Sequence, residues 1–165
     1  MSNPSLGRLL GLLAVAGLVF APSARAELAA WDQAKVNGLA KELGTATDAL
    51  YKAFIQHPPP PDPGSIQSAS YYRLRYLVWM LRSEALMLVE WLEKGDGREQ
   101  TSWIYEEMTS YARTARDEAS RVFVAKDVGE RAAAVRGLLN QLGPYYDPDF
   151  RTLIPNPHIE PDANR

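Results

Sequence analysis

The densest run of side chains with binding chemistry is Tyr71-Tyr72-Arg73-Leu74-Arg75-Tyr76, followed by Trp79 and Arg82. Arg75 and Arg82 are seven residues apart, so on a helix they share one face two turns from each other, beside Tyr72 and Trp79. A guanidinium next to aromatic rings can hold a carboxylate, a phosphate or a flat ring by forked hydrogen bonds and stacking. Tyr72, Arg75, Trp79 and Arg82, with Tyr111 from the next helix, are therefore the candidate lining of a ligand pocket between helices. An ion pair explains the same arginines and is the favoured account. An antiparallel turn at Gly95 brings the level of Arg75 near Asp117 and Arg113, and long arginine stems routinely pack on aromatic rings at bundle edges.

Reactive centres of other kinds find little support. The chain has no cysteine and two histidines, so covalent haem attachment through Cys-x-x-Cys-His has no site. His57 abuts a polyproline run and His158 lies among prolines, so neither is an axial ligand facing into a helical bundle. Met80, Met87 and Met108 recur at helical spacing, where methionine is a core filler far more often than a ligand. No Glu-x-x-His motif supports a di-metal site, and no serine or threonine has a recognisable neighbouring base. Glu106 and Glu107 are adjacent, about 100° apart around a helix, and so do not share one site. The expectation is a protein that is not an enzyme and carries neither cofactor nor metal.

The elements that position these residues read as helices, because apolar residues recur at three and four and no stretch alternates as a strand would. A first helix is expected from about Leu28 to Gln56, with Val36, Leu39, Leu43, Ala46, Leu50 and Phe54 on one stripe. Pro58, Pro59, Pro60 and Pro61, with Asp62, Pro63 and Gly64, then form a stiff connector that also suits a partner's groove. The second helix, about Ser68 to Lys94, is apolar over most of its circumference and should be buried on more than one side. Gly95 suits a left-handed cap, and Asp96 with Glu99 has capping-box spacing for a third helix from about Arg98 to Ala125. Its alanines should let a neighbour come close. Asp127 and Glu130 repeat the capping spacing, implying a break before a fourth helix that carries Val128, Ala132, Val135, Leu139 and Leu142 and stops at Gly143-Pro144. The fold class expected is all-α, an up-and-down antiparallel four-helix bundle over 27–143, with an irregular Pro-rich tail over 144–165. That architecture resembles the helical-bundle electron carriers, whose haem ligands this sequence lacks. Tyr145, Tyr146, Phe150, Leu153 and Ile154 are expected to fold back over what a short fourth helix leaves bare.

The first 26 residues have the three parts of a cleavable export signal. Arg8 precedes an apolar run from Leu9 to Ala21, which is shorter than the roughly 20 residues a spanning helix needs. Pro22 and Ala24-Arg25-Ala26 then supply the break and the small residues of a cleavage site. The mature chain is thus expected in the periplasm or secreted, without a membrane anchor. It would carry 16 basic and 20 acidic residues, a mildly acidic balance that disfavours nucleic acid as a partner. The leading expectation for function is a non-enzymatic interaction or accessory protein contacting another periplasmic or envelope protein. The alternative is a small-molecule carrier or sensor, and a haem- or metal-binding bundle ranks below both.

Overall fold

The computed structural model describes residues 27–60 and 62–148. Residues 1–26, Pro61 and everything beyond Pro148 lie outside the described residues, and with them the expected export signal, His158 and the expected packing of Phe150, Leu153 and Ile154. Four helices pack against one another: α1 Gln33–Gln56, α2 Ile66–Glu93, α3 Arg98–Ala119 and α4 Lys126–Tyr146. No strand occurs among the described residues.

Local chemistry sets where each helix begins and ends. Asp32 starts α1 by accepting the Lys35 backbone N–H on Oδ1 at 3.0 Å, and Ser65 starts α2 by accepting that of Ser68 on Oγ at 3.1 Å. Such caps satisfy amides that have no partner within the helix. At the end of α2, Gly95 takes φ +94 and donates to the Leu92 carbonyl, while Asp96 donates to that of Trp91. These are the two bonds of a Schellman cap, and the left-handed residue is the glycine, which has no Cβ to clash.

Because Asp96 is spent on that cap, the N-terminus of α3 moves one residue beyond the expected Asp96–Glu99 box. Gly97 precedes the helix, and its N–H donates to Gln100 Oε1 at 3.1 Å. Residues 120–125 break the chain before α4, but not by the expected box: α3 ends at Ala119, short of Ala125, and α4 starts at Lys126 behind Ala125 with no side-chain cap, while the Asp127 carboxylate meets His57.

The fourth helix differs more from expectation. It continues through Gly143 and Pro144 to Tyr146, 21 residues in all. A proline in the last turn forfeits one backbone bond, but the surroundings hold this turn in place. The Pro144 carbonyl accepts the Ala29 N–H at 2.8 Å, and Tyr145 and Tyr146 both meet the Trp31 ring edge-on at 6.4 and 5.6 Å. Tyr146 also stacks on Tyr105 at 4.8 Å.

Neighbouring helices meet start to end. Gln33, in the first turn of α1, donates to the Leu92 and Asp96 carbonyls, while Phe54 near its end stacks on Tyr71 at the start of α2. Trp91 of α2 meets Trp103 of α3 at 5.9 Å, and Arg73 reaches Glu118 at 3.5 Å at the other end. The core joins Leu43, Leu88, Leu92, Ile104, Met108, Leu139 and Leu142, all fully buried and drawn from all four helices. The α1 stripe is buried as expected, with Ala46 half-buried. The α2 surface is less enclosed than its composition suggests, since Tyr72, Tyr76, Trp79 and Leu86 are exposed.

Tyr105 ties α3 to α4 twice, by its stack on Tyr146 and by a 3.2 Å hydrogen bond from its hydroxyl to the Leu139 carbonyl. Burial, and secondarily Asp147, pushes its phenol far above the usual range, so it stays neutral and keeps donating. Tyr105→Phe is expected to lower stability by about 1 kcal/mol and Tyr105→Ala by about 3–4 kcal/mol, measured by urea unfolding. Equal losses for the two would show that the ring packing matters less than the hydroxyl.

Candidate functional site

Two concavities and two buried carboxylates, Glu84 and Glu118, stand out. The first concavity is a shallow hollow of about 330 Å³ lined by Tyr51, Tyr72, Arg75, Tyr76 and Trp79, where α1 and α2 meet. The face containing Tyr72, Arg75 and Trp79 is therefore assembled as the spacing implied, with Tyr51 added from α1. Arg82 lies beside this hollow but is engaged: its Nε donates to Asp48 Oδ1 at 2.7 Å and its guanidinium covers the Tyr51 ring at 5.6 Å. Lys52 first, and Arg82 second, hold the Asp48 carboxyl below its ordinary range.

Tyr111 is not part of this group. It is half-buried on α3, and its phenol is raised by burial and then by the charge of Glu107. The ion pair joining α2 to α3 at this level is Arg73 with Glu118, not Arg75 with Asp117. Arg75 is exposed at the hollow's rim.

The second concavity is larger, about 750 Å³, and runs along the seam between α3 and α4. Its floor is Leu50 and Phe54 of α1 with Leu74, Val78 and Leu81 of α2. One wall is Ala112, Ala115 and Ala119 of α3, and the other is Val128, Ala132, Ala133, Val135 and Leu139 of α4. Arg116 and Arg136 add the polar edge, with Lys126 and Glu130 towards the α3–α4 turn. Burial first, and the Arg116 charge second, pull the Arg136 guanidinium below its ordinary pKa, while Arg116 itself is exposed. Phe123, in the turn that joins the two walls, is 95% exposed.

This cleft reverses an expectation. The alanines of α3 were expected to draw a neighbour close, yet they line open space. The reason lies at the opposite end of the seam, where the Tyr105–Tyr146 stack and the Thr101–Tyr146 contact at 3.0 Å join α3 to α4 through large side chains. A separation set by tyrosines is too wide for alanines to close, and α3 and α4 accordingly touch more sparsely than the other neighbouring pairs. The cleft was legible in part, because small residues face each other at 112, 115, 119 and 129, 132, 133 with arginines at 116 and 136. What the sequence did not reveal was the width of the gap.

The remaining candidates are placed as follows. His57 Nε2 lies 3.0 Å from Asp127 Oδ1, joining the end of α1 to the start of α4. Met108 is fully buried, and Met80 and Met87 are half-buried. Pro58 and Pro59 are exposed and Pro60 half-buried. Glu106 and Glu107 are both exposed. Among the described residues no three His, Cys, Asp or Glu side chains converge as a metal site would require, and no helix is long and apolar enough to cross a membrane. The chain matches no known protein family, no curated protein and no solved structure.

Of the two buried carboxylates, Glu118 is paired with Arg73 and Arg121, and Glu84 of α2 is the other. It is 8% exposed and its Oε2 has no hydrogen-bond partner. Burial, and then the charge of Glu107, raise its pKa. A folded-state pKa above the unfolded value means that the stability contributed by this group is complete at low pH and is lost as pH rises through the raised pKa. Glu84→Gln, which mimics the protonated form, is expected to stabilise the protein by about 1 kcal/mol at neutral pH. That gain should shrink as pH falls to about 4. Urea unfolding at the two pH values checks both; a gain that does not change with pH would show that Glu84 is not charged in the folded protein at neutrality.

Proposed function

We propose that the protein is a small-molecule carrier, with the α3–α4 cleft as its binding site, and that it acts by holding a ligand without transforming it. The observation that carries this reading is the cleft's combination of size and lining. Its volume of about 750 Å³ lies within the roughly 300–1,000 Å³ of small-molecule sites, which are mostly apolar with a few polar groups that fix orientation. A mostly apolar lining with Arg116, Lys126, Glu130 and Arg136 among it fits that description better than the shallow hollow around Arg75, which is smaller and more open.

The site is proposed within an up-and-down antiparallel four-helix bundle, with the Pro-rich connector and Pro-rich tail as its irregular segments. The proposed location is the periplasm or the medium, after removal of residues 1–26. A protein in that location has to rely on packing for stability, since the chain has no cysteine to form disulfides. A carrier suits the absence of any recognisable catalytic motif in the sequence.

A second reading, an interaction or accessory protein, has its own observation. Tyr72, Tyr76 and Trp79 form a contiguous exposed aromatic face around Arg75, a composition enriched at protein interfaces. A periplasmic or envelope protein would be the partner. Protein recovered from native extract by the parent chain, and lost with Trp79→Ala but retained with Ala115→Phe, would support it. Identical recovery with Trp79→Ala would set it aside.

The carrier reading is tested with the neutral fluorophore N-phenyl-1-naphthylamine, whose emission rises in apolar sites. The expected result is saturable binding of one probe per chain. Ala115→Phe on one wall and Ala133→Phe on the other should each weaken it at least about tenfold, because each fills space the probe needs. Circular dichroism of both variants verifies that they fold. Saturable binding that survives both substitutions would place the probe elsewhere.

A further inference from the structure

We infer that the end of the bundle carrying the α1–α2 connector and the α3–α4 turn docks reversibly on a lipid bilayer with anionic headgroups, with Phe123 and Ile66 entering the interface. The inference goes beyond the carrier reading and does not depend on it.

The first support is where apolar surface is left in water. The stack of Phe54 on Tyr71, the 3.0 Å contact of His57 with Asp127 and the 3.5 Å contact of Arg73 with Glu118 bring the end of α1, the start of α2, the end of α3 and the start of α4 to one end of the bundle. The two most exposed large apolar side chains among the described residues both belong there. Ile66, the first residue of α2, is 78% exposed, and Phe123, in the α3–α4 turn, packs on nothing of its own chain. Ile55, in the last turn of α1, is exposed as well, as are Pro58, Pro59 and Pro63 of the connector. Phenylalanine and isoleucine gain by leaving water, and an exposed tip is the place from which they can do so without unfolding the bundle.

The second support is the distribution of charge. Dividing every helix at its middle separates the half with the connector and the α3–α4 turn from the half with the α2–α3 turn and the Trp31 end. The first carries nine basic and six acidic side chains and the second five basic and eleven acidic, a formal charge of +3 against −6 among the described residues. These totals include every ion pair, so the difference does not rest on any one cation being without a partner. Counting Arg136, the middle residue of α4, with the other half leaves both signs as they are. Near an anionic surface such a molecule is turned with its connector end inward and its acidic end away.

The form of the surface favours a bilayer over a protein. A protein partner favours one contiguous patch, which the aromatic face around Arg75 supplies and tips on separate segments do not. A fluid interface closes around each tip by itself, and its headgroups match a diffuse positive end without requiring fixed pairs. The lining of the α3–α4 cleft runs on into Val124 and Ala125, next to Phe123, so the cleft opens beside the docking tip.

The experiment reads each end of the full chain separately. The chain has no cysteine, so Ser120→Cys, in the exposed turn, and Glu99→Cys, exposed at the other end, each provide one site for an environment-sensitive fluorophore. Position 99 lies at the end where the chain enters the bundle, since Ala29 is bonded to Pro144, and it therefore reports any docking through the apolar run from Leu9 to Ala21. On vesicles of phosphatidylglycerol and phosphatidylcholine in equal parts, the label at 120 is expected to shift to the blue and the label at 99 to stay unchanged. Affinity for vesicles of phosphatidylcholine alone should be at least about tenfold weaker, and raising salt from about 0.05 to about 0.5 M should weaken binding to the anionic vesicles. Phe123→Ser is expected to lower the affinity about tenfold and Ile66→Ser severalfold. Both side chains face solvent, so neither replacement should disturb the fold, which circular dichroism verifies.

A blue shift at 99 with none at 120 would show that the chain meets the bilayer by its other end and would overturn the proposal. Equal affinity for neutral and anionic vesicles, or an affinity that Phe123→Ser leaves unchanged, would overturn it too. Absence of any vesicle binding, with Phe123→Ser abolishing recovery of a protein from native extract, would assign this end to a protein partner instead. Binding of N-phenyl-1-naphthylamine is measured without vesicles, so the carrier reading stands or fails by itself.

Discussion

The fold hangs on a knot of aromatic rings at one end of the bundle. Trp31, ahead of α1, takes Tyr145 and Tyr146 on its edges, and Tyr146 stacks on Tyr105 of α3. Arg98, at the start of α3, closes the knot by covering the Trp31 ring at 5.4 Å and donating to the Ala29 carbonyl at 2.6 Å. Three segments far apart in sequence are thereby fixed to one another. The knot also explains why α4 outlasts a Gly-Pro pair: the backbone bond lost at Pro144 is small beside the burial of two tyrosines.

What the knot joins at one end it holds apart at the other. Side chains as large as tyrosine set the distance between α3 and α4, and the alanines further along the seam cannot bridge that distance. The result is a hollow whose floor belongs to α1 and α2 and whose walls belong to α3 and α4. Close packing is the rule in protein interiors because unfilled volume forfeits contacts, so an apolar cleft of about 750 Å³ is stability forgone along this seam. The proposed binding role gives that sacrifice a use.

Much of the architecture was visible in the sequence, and the departures have identifiable causes. Periodicity placed Val36, Leu39, Leu43, Leu50 and Phe54 in the core because a single stripe on a helix has one way to face. A break between α3 and α4 was expected, but it falls at 120–125, ahead of Asp127, whose carboxylate meets His57 and does not cap α4. The enclosure of α2 was overstated, since tyrosine and tryptophan count as apolar yet keep polar edges that tolerate water, as Tyr72, Tyr76 and Trp79 do. The cap at Asp96 moved by one residue because that backbone already serves the preceding helix. The cleft could be read only in the small residues of its walls, because one sequence shows which residues face a seam but not how far apart the backbones stand. Arg75 and Trp79 were brought together as their spacing required, whereas the ion pair to α3 expected of Arg75 with Asp117 is made by Arg73 with Glu118, each one or two residues away and on a different side of its helix.

The turn from Lys94 to Gly97 serves three helices at once. The backbone of Asp96 ends α2 through its N–H and holds α1 through its carbonyl, which accepts from Gln33, and Gly97 beside it opens α3. A residue inserted there would undo three anchorages together, whereas the stretch from 120 to 125 answers to its own two helices. Grafted peptides, reporter tags and length changes in natural relatives should therefore accumulate at the second turn and be excluded from the first. The two ends of α3, equal in any diagram of the topology, are unequal in how much alteration they can absorb.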